Sequence, residues 1–135
     1  MGEIEYRRRI TRDMLRAEPG TLFVFGDNMA RRGYGGQARE MRGEPNAIGV
    51  PTKWTPDTRP GAYFDDSDVG RVGWVIVDAF QCCRDHIRAG GKVVWPADGI
   101  GTGLADLPRR APGIWLMITG LLEGLGRTET RDGTR

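Results

Sequence analysis

Lysine is almost absent from this chain. Of the 20 lysine and arginine residues, Lys53 and Lys92 are the only lysines, which leaves 18 arginines. Histidine is scarcer still. His86 stands alone in a polar helical stretch with no companion cluster of cysteines or carboxylates, so we expect neither structural zinc nor another metal, and no cofactor. The two cysteines, Cys82 and Cys83, are chain neighbours whose side chains diverge. A disulfide between them would be strained, and both read as reduced, partly buried thiols of a helix. A long apolar run near the start is missing too: Glu3, Glu5 and Arg7 to Arg9 stand there instead, which predicts neither a signal peptide nor a membrane span and points to a cytoplasmic protein. Large net charge is also missing. At +2 the molecule exerts no long-range pull on nucleic acid, although arginine clusters form local patches.

What is present fits one folded unit. A chain of 135 residues can bury most of the surface its unfolded form exposes. We place a single domain over 1–126 and a polar tail over 127–135. The 21 glycines and 8 prolines are too few for a low-complexity chain and are therefore read by position. Residues 21–25 (TLFVF), β-branched and aromatic between Pro19-Gly20 and Gly26, predict a buried strand. So do 47–50, closed by Pro51, and 93–95, opened by Gly90-Gly91 and closed by Pro96. Between them, 36–41 predicts a short helix. A longer one spans 69–87, with Val72, Val75, Ile76, Ala79, Phe80 and Cys83 in an i, i+3, i+4 stripe, caps at Asp65 to Ser67 and a stop at Gly90. The last helix is expected over 111–125, with Ile114, Trp115, Ile118, Leu121 and Leu122 on one face. Strands this short and this uniformly apolar, alternating with helices, predict an α/β layered domain with a mostly parallel sheet. Ligands of such sheets bind beyond the carboxyl ends of the strands.

Three unusual loops follow the three strands. After the first comes GDNMARRGYGGQAREM, in which Gly33, Gly35 and Gly36 lead into a helix; this suggests a phosphate cradle, with a turn-rich connection as the plain alternative. After the third comes PADGIGTGLADLP, where Gly99, Gly101 and Gly103 leave successive amides unshielded, as a diphosphate would require. Neither a Walker A sequence nor a dinucleotide-binding glycine turn is present. After the middle strand stands Lys53, at the same edge as both glycine loops. Its amine can counter phosphate charge, or, once desolvated, act as a nucleophile toward an aldehyde-like carbon.

FVFGDN with RRGYGGQA, then GVPTK, then VVWPADGIGTGLADL, in this order, resembles the macrodomains, and among them the branch of the terminal ADP-ribose glycohydrolase and the antitoxins that remove ADP-ribose from DNA. The resemblance spans about 21–125. It implies a compact three-layer fold with a mixed, mostly parallel sheet flanked by helices. It also implies a site for ADP-ribose carried on a protein carboxylate or a nucleobase. Asn28 and the segment Gly33, Tyr34, Gly35 and Gly36 would then contact the distal ribose, Thr52 would introduce the catalytic Lys53, and Gly101, Thr102, Gly103 and Leu104 would form the phosphate loop. Gly26, Asp27, Gln37, Pro51, Ala97, Asp98, Gly99 and Ile100 would also bind the ligand, and Asp106, with Asp98 as its competitor, would carry the proton. Asn28 would orient the ribose hydroxyls, and Trp54 or Tyr34 would stack on adenine. Two other readings stand beside this one: a non-catalytic binder of ADP-ribose or a related signalling nucleotide, and a site for another phosphate ligand or nucleic acid served by Arg7 to Arg9, Arg31-Arg32 and Arg109-Arg110.

Overall fold

A computed structural model describes residues 2–133, with side chains described through residue 126. Its elements run β1 (Glu3–Arg7), α1 (Arg12–Ala17), β2 (Thr21–Asn28), α2 (Ala38–Met41), β3 (Ala47–Lys53), α3 (Val69–Arg88), β4 (Lys92–Pro96), α4 (Leu107–Arg110) and α5 (Pro112–Gly133). The strands form one sheet in the order β1-β4-β2-β3, and every pairing is parallel. The expected mostly parallel α/β sheet is thus found. Its antiparallel element is reduced to an isolated bridge between Lys53 and Tyr63.

Alternation along the strands divides the apolar side chains between two cores. Val24, Val50, Val93 and Trp95 face α3 and α5, meeting Val72, Ile76, Phe80, Ile114 and Ile118. Phe23, Phe25 and Val94 face the other way, onto Leu15 of α1 and Ala38 and Met41 of α2. Helices therefore cover both faces, as a parallel sheet requires. The stripe expected on 69–87 is the buried side of α3, except that Val75 is only half-buried.

Several boundaries differ from the sequence expectation. β2 continues to Asn28 and β3 to Lys53, so the residues expected in loops are strand ends. Pro51 does not close β3 because β3 is an edge strand: its missing N–H has no neighbour to serve. β1 and α1 lacked a clear apolar signal; β1 alternates Glu3, Glu5 and Arg7 with Ile4 and Tyr6, a charged guard suited to the opposite edge. Asp65 and Asp68 form a reciprocal capping box on the turn that opens α3. α5 begins at Pro112 and is bounded at Gly133, beyond the expected end at 125. The expected polar tail lies mostly outside the residues whose side chains are described.

This topology creates the cleft. β2 leads into α2 on one face, whereas its neighbour β4 leads into α4 and α5, which pack on the other. The two chain segments leave adjacent strands in opposite directions and open a crevice at their carboxyl ends.

Candidate functional site

A cavity of about 190 Å³ occupies that crevice. It is smaller than the ~300–1,000 Å³ of pockets that enclose drug-sized ligands. β2 contributes Gly26, Asp27 and Asn28; the following loop Gly33, Gly35, Gly36 and Gln37; β3 Thr52 and Lys53; and the loop after β4 Gly99, Gly101, Thr102, Gly103 and Leu104. These fourteen predicted residues, widely separated in the chain, are brought together. Arg32, Ala38, Arg42, Pro56 and Ala105 also line the cavity and were not anticipated. For Arg42 and Pro56 no motif could have signalled this, since their positions depend on how loops meet. Arg32 was expected only under the alternative reading, as part of the Arg31-Arg32 cluster for another phosphate ligand or nucleic acid.

Seven predicted residues fall elsewhere. Ile100 turns into the core, Pro51 is buried within β3, and Ala97 and Asp98 are exposed beyond the cavity wall. Tyr34 is exposed beside the glycines that line the cavity. Asp106 adopts a left-handed backbone (φ 51°) and pairs with Arg109 at 2.5 Å and Arg110 at 3.5 Å. Neither candidate acid, Asp98 or Asp106, lines the cavity. Trp54 is engaged within the fold: its Nε1 donates to Asp68 at 3.2 Å and its ring meets Phe64 edge-on.

Two side-chain amides hold the walls. Gln37 accepts from the Gly26 N–H at 2.8 Å and donates to the Gly99 carbonyl at 2.9 Å, tying together the loops after β2 and β4. Asn28 donates to the Arg32 carbonyl at 2.8 Å, and its Oδ1 faces the Arg32 N–H at 3.4 Å, so its amide shapes its own loop. Beneath it, the buried Asp27 carboxylate pairs with Arg42 and with Arg31 at 3.0 Å. Arg42 in turn donates to the Gly33 carbonyl at 2.7 Å. Gly49 makes room for that carboxylate: a Cβ there would lie 2.7 Å from Asp27 Cβ. Gly101 (φ +75°) is similarly constrained, with Leu107 and Thr52 side chains 3.0–3.1 Å from any added Cβ.

The expected anion-binding helix N-terminus is corrected. α2 has only four residues, and the amides of Ala38, Arg39 and Glu40 already donate to the carbonyls of Gly35, Gly36 and Gln37. Unused donors lie in the other loop. Among the described residues the amides of Gly101, Thr102, Gly103 and Leu104 donate to no protein acceptor. Successive free N–H groups of this kind form a concavity suited to an anion.

Lys53 is 7% exposed although it ends an edge strand. Its Nζ donates to the Asp57 carbonyl at 2.8 Å and lies 4.4 Å from the centre of the Tyr63 ring. Burial pushes its pKa down, opposed by the Asp57 charge and reinforced by Arg110. Lys92 behaves oppositely: its ion pair with Glu5 at 2.9 Å raises its pKa. The two lysines of the chain are therefore chemically distinct. Among the described residues no group of histidines, cysteines and acids is arranged to hold a metal ion, and no helix is long and apolar enough to cross a membrane.

Fold and site define a parallel α/β domain with a glycine-walled cleft at its strand ends and one buried amine inside. The chain belongs to the family described as Family of unknown function (DUF7831), whose pattern matches residues 5–121. No curated protein and no solved structure matches it.

Proposed function

We propose that this protein is a macrodomain-like ADP-ribose-binding hydrolase that removes ADP-ribose from a modified macromolecule, a protein carboxylate or a nucleobase, with Lys53 as the reacting amine. One observation carries the reading: a desolvated amine and a loop of unpaired amides share one cavity. The diphosphate would accept from the amides of residues 101–104, and the distal ribose would lie toward Lys53. For an ester-linked substrate, the Nζ lone pair forms a bond to C1″ while the C1″–O bond breaks, and the carboxylate leaves with the electron pair. The nitrogen keeps both protons as a glycosylammonium. Water next adds at C1″ as the C1″–N bond breaks, the nitrogen leaving with the electron pair as the neutral amine. The attacking water gives its extra proton to solvent, releasing free ADP-ribose. For a base-linked substrate the protonated form of Lys53 would give electrostatic help, with general acid catalysis and without a covalent intermediate.

The engaged amide of Asn28 and the ion-paired Asp106 give neither residue an obvious free role, which favours the second reading, a binder of ADP-ribose or a related nucleotide without turnover. A thermal-shift titration separates both readings from a general phosphate site. ADP-ribose should raise the melting temperature well above AMP, NAD or ribose phosphate at equal concentration. Equal shifts with AMP and ADP-ribose would refute any role for the distal ribose.

A further inference from the structure

Tyr63 carries two cations. The Arg110 guanidinium carbon lies 3.7 Å from the ring centre and the Lys53 Nζ lies 4.4 Å from it. Arg110 is held there from α4: its Nε is buried without a hydrogen bond, and its nearest carboxylate oxygen, on Asp106, is 3.5 Å away and shared with Arg109. A guanidinium remains charged throughout the accessible pH range, whereas an ammonium sheds its proton readily when desolvated or crowded by like charge. An aromatic face attracts a cation, so the ring would ordinarily favour the charged form of Lys53.

We infer that Arg110 is a positioning residue for Lys53: by placing a fixed positive charge on the Tyr63 ring that Lys53 also faces, it disfavours a second cation there and favours the amine over the ammonium. Of the groups around the amine, only the Asp57 charge opposes this. Asp57 faces it from the segment after β3, yet offers its backbone carbonyl, while its carboxylate is taken by the Thr55 hydroxyl at 2.8 Å and by Arg59 at 2.6 Å. From β2, Asp27 points away toward Gly49, Arg31 and Arg42. Arg32 and Arg42 line the same cavity, adding positive charge. Arg110 itself does not line it and acts only through the ring and its field. The inference builds on the reading of Lys53 as the reacting amine but is tested without any nucleotide.

The test is competitive acetylation of the full chain with acetic anhydride between pH 6 and 11, read by peptide mass spectrometry, with Lys92 as the internal standard. In the wild type the Lys53 labelling midpoint should lie below that of Lys92. Arg110→Met, which keeps an unbranched side chain on the ring, should raise the Lys53 midpoint by about one pH unit, the scale of removing a nearby like charge. Arg110→Lys should keep it low, and Lys92 should not move in either variant. A wild-type Lys53 midpoint at or above that of Lys92 overturns the inference whether or not the variants fold. So does an Arg110→Met midpoint equal to the wild type in a protein that melts normally. If the midpoints behave as expected but ADP-ribose does not bind, the proposed substrate fails while this role of Arg110 stands.

Discussion

Asn28 and Lys53 face each other as cross-strand partners immediately after a break in the β2–β3 register. One step earlier Asp27 pairs with Pro51, so Thr52 is an extra residue on β3. Bulges of this kind re-aim the side chains that follow them. The Thr52 hydroxyl donates to the Asp27 carbonyl at 3.1 Å and pins the bulge in place. Thr52→Val retains the shape and removes that bond. It should cost about 1 kcal/mol in urea unfolding and lower turnover more than ADP-ribose affinity. Unchanged turnover with reduced stability would separate the bulge from the chemistry.

Lys53→Met separates binding from reaction. Turnover of an ester-linked substrate should vanish while the ADP-ribose-induced thermal shift survives. The same variant has a stability signature with a defined sign. The folded pKa of Lys53 lies below its ordinary value of 10.5, so between the two values the unfolded chain binds more protons. Wild-type stability therefore gains from this residue as pH rises through that window, and below it the buried amine carries a constant penalty. The melting temperature of Lys53→Met relative to wild type should accordingly be more favourable at pH 7 than at pH 10. A pH-independent difference would mean that the amine is not desolvated.

Gly49→Ala tests the foundation of the loop after β2. Its new methyl would displace the Asp27 carboxylate that holds Arg31 and Arg42. A loss of about 1–3 kcal/mol is expected, the range for overfilling a packed site. ADP-ribose affinity should fall with it, because Arg42 also fixes the Gly33 carbonyl. Full stability in this variant would show that the carboxylate has another resting place.

The three apolar strands β2, β3 and β4 and the two long helices were legible because their apolar patterns are unambiguous, and the glycine loops followed from the rule about strand ends. Of the small elements, α2 was expected within 36–41, whereas α1 and α4 were not, since six and four residues are too few for a period to appear. Why Gly49 is glycine could not be read either, since the carboxylate it accommodates belongs to another strand. Lys53 stood out in sequence only by rarity; its burial depends on Tyr63, which returns to bridge it after a turn at Pro60–Ala62. Asp106 stays out of the cavity for a local reason: within the next turn Arg109 and Arg110 come back onto its carboxylate.

Glu5 sets the acid limit of the β1 edge. Its hydrogen bond with Arg7, then that with Lys92, holds its carboxyl down at about 2, against an ordinary 4.5. A depressed carboxylate contributes stability that is present above pH 4.5 and lost as pH falls toward 2. Glu5 is about one-third exposed, so solvent screening limits the effect to about 1 kcal/mol or less. Glu5→Gln should lower the melting temperature at pH 7 and converge with wild type near pH 2. A constant offset across that range would exclude an ionic origin.

Gln37 is the sharpest test of the cleft as a designed unit. Among the described residues it is the one side chain whose hydrogen bonds tie the loop after β4 to β2 and the loop that follows it, accepting from Gly26 and donating to Gly99. Gln37→Leu preserves bulk but leaves two half-buried backbone groups without partners, at a cost of about 1–3 kcal/mol each where water cannot replace them. Water can reach this rim, so the stability loss should fall at the low end. The larger effect should be on ligand affinity, because free loops must be ordered again on binding. About tenfold weaker ADP-ribose binding, or 1.4 kcal/mol, is expected by calorimetry. Gln37→Glu retains the acceptor for Gly26 and loses the donor to Gly99, placing a carboxylate against a carbonyl. It should therefore weaken binding at least as much as leucine does, and an affinity equal to wild type in both variants would show that the two loops are positioned independently of each other.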